Sequence, residues 1–206
     1  ATHANTNEST IKKYIDDWYS QNFDETATSK LEDAVFCNDR STKAYDANTI
    51  GWSPGVSYGN LGYRRNETFY GAAHRASGFS NNPNPSLVCT NANDKFTVNS
   101  KTGNGKLTYP VGLVTLDELV LSGFNTSYSN PSDYQDTTNY LYTNSDSWTL
   151  SPVLVNDTVR LGVILGEGYM INGQVSNIYG VRPVVSLKSG TLITGEGTTT
   201  SPFVVK

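Results

Sequence analysis

Two short stretches, Ser147-Trp148-Thr149-Leu150-Ser151-Pro152 and Tyr179-Gly180-Val181-Arg182-Pro183-Val184-Val185-Ser186-Leu187, decide how the C-terminal part of this chain is read. Both read as framework. Trp148 is a large core aromatic, and Val181, Val184 and Leu187 are β-formers around a proline that starts or edges a strand. Between them, Val153-Leu154-Val155-Asn156-Asp157-Thr158 and the run 162–178 show no catalytic constellation and no metal-ligand spacing. A rigid frame around a permissive segment is what recognition requires, because binding residues sit on loops held by a stable scaffold.

Outward from that frame, short strands are expected at 140–142, 148–150, 159–165, 169–171, 181–187 and 203–205, with hairpin turns at Gly166-Glu167-Gly168 and Asn172-Gly173. Towards the N-terminus the pattern is helical. Ile11, Tyr14, Ile15, Trp18 and Tyr19 recur at helical spacing behind a Ser9 or Thr10 cap. Ser29 and Glu32 form a capping-box pair before Leu31, Ala34, Val35 and Phe36, and Thr115 with Glu118 repeats the signature before a helix that Gly123 ends. The stretch 38–104 is rich in turn residues and reads as ordered loops with a few short elements. Residues 1–9 are expected to form a flexible tail and 10–206 a single domain, without internal repeat.

Charged residues make up 17% of the 206, and the net charge is -4. That balance argues against nucleic acid, which selects a basic face. No run approaches the ~20 apolar residues of a membrane span. No signal peptide opens the chain, so it reads as a mature or trimmed fragment. The 2 cysteines, Cys37 and Cys89, with few lysines and many Asn, Thr and Tyr, suggest an exported protein with one disulfide; two buried free thiols in a cytosolic protein are the alternative.

Several runs in fixed order carry a resemblance. They are Ile11-Lys12-Lys13-Tyr14-Ile15-Asp16-Asp17-Trp18-Tyr19, Phe36-Cys37-Asn38-Asp39-Arg40-Ser41, Tyr70-Gly71-Ala72, Asn93-Asp94-Lys95-Phe96-Thr97-Val98, Leu107-Thr108-Tyr109-Pro110-Val111-Gly112-Leu113-Val114-Thr115 and Tyr140-Leu141-Tyr142-Thr143. The two brackets and the closing Gly195-Glu196-Gly197-Thr198 and Ser201-Pro202-Phe203-Val204-Val205 complete the set. The chain resembles surface proteins of Gram-positive gut bacteria with the C-type-lectin-like fold, in the branch related to formylglycine-generating enzymes. Some members of that branch are variable proteins of diversity-generating retroelements, in which adenine-derived codons of a C-terminal segment are randomised. The resemblance implies an α+β fold, N-terminal helices packed on a small antiparallel sheet with long ordered loops, and an extracellular or cell-surface ligand-binding, adhesin-like role.

On that basis Leu161, Ile164, Met170, Val175 and Tyr179 are read as inward framework. The binding face comprises Val153, Leu154, Val155, Asn156, Asp157, Arg160, Val163, Leu165, Glu167, Tyr169, Ile171, Asn172, Gln174, Ser176, Asn177 and Ile178. Apolar residues at exposed positions of this segment would form a patch of the kind that marks a binding surface. The competing reading is that some are buried and the strand register is off by one. Enzymatic chemistry is not expected. His3 lies in the tail and His74 has no nucleophile or acid signature beside it. The formylglycine-generating enzymes need closely spaced C-terminal cysteines, and no cysteine follows Cys89. The calcium-lectin motifs are absent, and the oxygen-rich groups at Asn38-Asp39, Asn91, Asn93-Asp94 and 133–136 are read as self-capping turns, so no metal and no cofactor are expected. Asp16-Asp17 and Asp117-Glu118 are read as solvated helix faces. The expected partner is a protein or glycan on another cell or surface, with no nucleic acid and no membrane insertion of this segment. The alternative role is a structural subunit of a surface filament or pilus.

Overall fold

In the computed structural model, residues 5–43, 69–76, 84–124, 139–155, 158–198 and 200–206 are described. Among these residues four α-helices, α1 (Thr10–Asn22), α2 (Glu25–Thr28), α3 (Gly71–Ala76) and α4 (Leu116–Leu121), and one 3-10 turn (Ala92–Asp94) accompany small antiparallel sheets. The strands are β1 (Leu31–Glu32), β2 (Phe36–Cys37), β3 (Thr42–Lys43), β4 (Phe69–Tyr70), β5 (Lys95–Phe96), β6 (Ser147–Val155), β7 (Val159–Ile164), β8 (Met170–Gln174), β9 (Ser186–Leu187), β10 (Ile193–Thr194) and β11 (Val204–Val205). The fold is therefore mixed α and β.

The central sheet has the order β3-β4-β6-β7-β8. Successive residues of a strand face opposite sides, and β7 shows it. Ile164, with its partner Met170 on β8, joins a core made with Ala73 and Ala76 of α3 and Leu116 and Leu119 of α4. Val163, one residue earlier, joins Trp148 and the α1 residues Ile15 and Tyr19. Helices thus cover both faces. Gly162 is the point where α4 closes on the sheet: a Cβ there would lie 2.7 Å from both Leu116 Cδ2 and Thr149 Oγ1. The buried hydroxyls nearby are used, since Thr149 donates to the Gly162 carbonyl at 2.9 Å and Ser151 accepts from the Leu116 N–H at 3.0 Å.

Local signals hold for α1 and α4. Ser9 caps α1, accepting from the Lys12 N–H at 3.1 Å, and Tyr19 stacks on Phe23 and Tyr109 with ring centroids 4.6 and 4.7 Å away. Thr115 and Glu118 form the full capping box of α4, and Gly123 follows the helix with φ +83.

The helix expected behind Ser29 does not form. Asp24 caps a helix that is already over at Thr28, and Ser29 donates to the Thr26 carbonyl instead. Leu31 and Glu32 then pair with Leu187 and Ser186, and Phe36 and Cys37 with Phe96 and Lys95. The carboxylate of Asp33 accepts from the N–H groups of Val98 and Asn99. Long-range pairing here outweighs a local helix signal.

Three strand and turn expectations also change. Residues 140–142 form a turn in which the Asn139 side chain accepts from the Leu141 N–H. Within 181–187 only β9 is a strand, preceded by a bridge from Val184 to Gly112. Asn172 and Gly173 are ladder residues of β8 opposite Gly162 and Leu161, not a turn. The turn at 165–169 is present as expected, with Gly168 at φ +90 and its N–H on the Leu165 carbonyl.

Cys37 and Cys89 form a disulfide. On the chain-entropy account, closing that loop stabilises the fold by about 4 kcal/mol. No helix among the described residues is long and apolar enough to cross a membrane.

Candidate ligand-binding surface

The segment between the two brackets is held from beneath. Tyr179 meets Trp148 edge-on, centroids 4.8 Å apart and planes at 82°. Gly173 makes room for this packing, because a Cβ there would sit 2.7 Å from Tyr179 Cε2 and 2.8 Å from Val163 Cγ2. After β8 the chain turns back: the Asn177 N–H donates to the Gln174 carbonyl at 2.9 Å, and Asn177 Nδ2 donates to the Tyr179 hydroxyl at 3.2 Å. The outer side of that turn faces water. Ile178 is 97% exposed and Val175 52%. Full exposure of an isoleucine held on a braced turn leaves its whole apolar area free for a partner.

The expected face is only partly assembled. Val153, Leu154 and Val163 do not point outward: they are 2%, 1% and 0% exposed and lie in the core. Val163 is buried in regular register under α1, with Ile15 and Tyr19; for Val153 and Leu154 the cause lies in β6. Its pairing with β7 shifts between Trp148 and Pro152 and again between Pro152 and Leu154. A proline cannot donate to the ladder and is accommodated at such irregularities. Two consecutive residues, Val153 and Leu154, consequently fall in the same core with α3 and α4. Leu165 and Ile171 are half-buried against the core on the α1 side. Val175, expected inward, is outside.

The remaining residues form two groups. Arg160 pairs directly with Gln174 across β7 and β8, and its Nη1 donates to Asn172 Oδ1 at 3.0 Å. All three are half-buried, and Ser176, Asn177 and Ile178 continue beyond them as exposed residues. The Nε of Arg160 is buried without a hydrogen-bond partner. Glu167 and Tyr169 sit at the other end of β8, about 16 Å away along a strand of this length. There burial, then the charge and hydrogen bond of Glu167, raise the Tyr169 phenol above its ordinary pKa. The side chain of Val155, and Asn156 and Asp157, lie outside the described residues.

Charged residues also form two inward anchors that the sequence did not disclose. Asp117 is buried, not solvated. It accepts from Arg75 Nε at 2.8 Å, from Arg75 Nη2 at 2.7 Å and from the Ser86 N–H at 2.8 Å. Arg75 Nη2 also donates to Asp39 at 2.8 Å. Burial alone would push the Asp39 carboxyl up, but its hydrogen bonds from Ser41 and Arg75 and the Arg75 charge hold it below its ordinary value. Asp94, 1% exposed, is gripped by Arg40 through the backbone N–H at 3.0 Å and Nε at 2.7 Å. Asn91 caps the turn before it, accepting from the Asn93 N–H. The side-chain oxygens of Asp39, Asn91 and Asp94 are thus engaged with arginine and backbone donors. Residues 133–136 and the His74 side chain lie outside the described residues. The described residues contain no group of three His, Cys, Asp or Glu able to hold a metal ion.

No family model matches the chain, and neither curated proteins nor solved structures provide a match.

Proposed function

We propose that the chain is a non-enzymatic, extracellular ligand-binding module of the C-type-lectin-like class, with its binding face at the β7–β8 edge and the turn after it. The observation that carries this reading is the almost complete exposure of Ile178 on a turn tied down by Trp148, Tyr179 and Gly173. Rigid support beneath an exposed apolar anchor lowers the ordering cost of association. Ile178 and Val175 would supply apolar contact; Arg160, Asn172, Gln174 and Asn177 would supply polar selectivity. Glu167 and Tyr169 form a separate, secondary contact. The few helices and small antiparallel sheets fit the architecture that the lectin-like resemblance implies, and the disulfide is consistent with an extracellular location. Diversification by a retroelement belongs to the same proposal.

Sequencing the coding region for 148–183 from many isolates tests it. Substitutions concentrated at the codons for Gln174, Ser176, Asn177 and Ile178, and absent from Val153, Leu154 and Val163, are expected. An even spread across buried and exposed codons refutes the display role.

A second reading, a subunit of a surface filament, is favoured by one feature. The hairpin β10–β11 leaves Leu192, Phe203 and Val204 at 73%, 60% and 54% exposure. Two-stranded hairpins with uncovered apolar side chains are aggregation-prone unless packed. Sedimentation of the wild-type chain and of Phe203→Asp over a range of concentrations decides it: assembly lost in the variant supports the filament, and a monomer throughout removes it.

A further inference from the structure

We infer that the cavity between α1 and the β2–β5 pair is a second binding site, for a small apolar molecule carrying one carboxylate. It shares no residue with the β8 turn and is independent of the display proposal. Its volume is about 460 Å³, within the range of about 300–1,000 Å³ that small-molecule sites occupy. The floor is apolar: Ile15 from α1, the cross-strand partners Phe36 and Phe96, Val111, and Leu150 of β6.

One ring of the floor is set by a glycine. Gly112 lines the cavity, and a Cβ at that position would meet the Phe36 ring at 2.4 Å, so the absence of a side chain lets that ring lie directly against the backbone. The N-terminal residues 5–9 complete the lining, and the walls on the side of Phe36 and Arg40 are held in place. Phe36 is 8% exposed and precedes the disulfide-bonded Cys37, while the Arg40 guanidinium lies 5.9 Å from the Phe96 ring centroid and is locked onto Asp94. A preformed apolar floor of two phenyl rings favours a flat, unsaturated guest.

The mouth selects its charge. Lys12 is bound to Asp16 at 2.5 Å and lies 3.6 Å from Glu8, and Arg40 is bound to Asp94. Lys106 also lines the cavity, is exposed, and has no ion-pair partner among the described residues. A ring seated on the phenyl floor with its carboxylate at the mouth would meet Lys106 while keeping the charge near water, which avoids the cost of burying it.

The test is an amide-shift NMR titration of the full chain with 2-naphthoate, and with 2-naphthamide as the neutral isostere. Saturable shifts at Ile11, Lys12, Phe96 and Gly112 are expected. Lys106→Glu should weaken 2-naphthoate by about ten-fold or more and leave 2-naphthamide nearly unchanged, since only the charged pair is altered. Leu107→Trp, which fills the cavity from its lining, should abolish both. Lys106 is exposed, so its variant should keep the wild-type melting temperature. Failure to saturate, shifts confined to 172–178, or equal weakening of both probes by Lys106→Glu overturns the inference.

Discussion

Leu154 and Ile178 belong to the same apparently permissive segment, yet the structure places one in the core and the other in water, at 1% and 97% exposure. Truncating each to alanine should therefore have opposite consequences. Leu154→Ala removes about three methylene equivalents from apolar surroundings, roughly 2.4 kcal/mol at ~0.8 kcal/mol per group. A cavity term adds to this, because Leu154 packs in one cluster with Ala73, Ala76, Leu119 and Met170 on a strand distorted at Pro152, which limits collapse. The total should be about 3–4 kcal/mol, in the usual range for buried leucines. For a chain of this size that corresponds to a melting temperature lower by roughly 6–15 °C. Ile178→Ala should change stability by less than about 0.5 kcal/mol, as exposed substitutions do. Urea unfolding with the disulfide intact, fitted for midpoint and slope, measures both. A near-neutral Leu154→Ala, or an Ile178→Ala costing more than about 1 kcal/mol, would show that the β6 bulge and the β8 turn are assigned to the wrong sides.

Replacing both Cys37 and Cys89 by serine should cost about 4 kcal/mol of unfolding free energy, read as a lower urea midpoint, and a cost below about 1 kcal/mol would contradict a link that closes this loop. The Asp39 carboxyl titrates below its ordinary value, so the stability it contributes is complete above the unfolded pKa of about 3.9 and lost as pH falls through the lower folded value. Asp39→Asn should accordingly flatten the acid limb of a melting-temperature profile below about pH 4; an unaltered limb would refute the coupling to Arg75. Gly162→Ala should destabilise by about 1–3 kcal/mol in calorimetry, because its methyl would collide with Leu116 and Thr149, and a neutral result would mean α4 does not close on the sheet there.

Elements governed by their own residues are legible in the sequence alone. The spacing of Ile11, Ile15 and Tyr19, the Thr115–Glu118 box and the Gly166-Glu167-Gly168 turn each carry their instruction within a few positions, and each forms as expected. Elements governed by distant partners are not. Ser29 and Glu32 offer a capping box, but Leu31 and Glu32 gain a strand partner more than 150 positions away. The candidate face shows the same division. Ser176, Asn177 and Ile178 are outward because a short turn puts them there, whereas the inward turn of Val153, Leu154 and Val163 depends on how β6 meets β7, α1, α3 and α4. The Arg75–Asp117 and Arg40–Asp94 anchors, separated by 42 and 54 positions, leave no local trace at all.

By itself the sequence determined a mixed α and β chain with two capped helices, a late hairpin and a pair of cysteines, because caps, turns and periodicity act over one or two turns of backbone. Only the tertiary structure decided which residues of 153–178 are core and which are display. Side-chain direction along a strand alternates with every residue, so the two irregularities around Pro152 reset the facing of Val153 and Leu154.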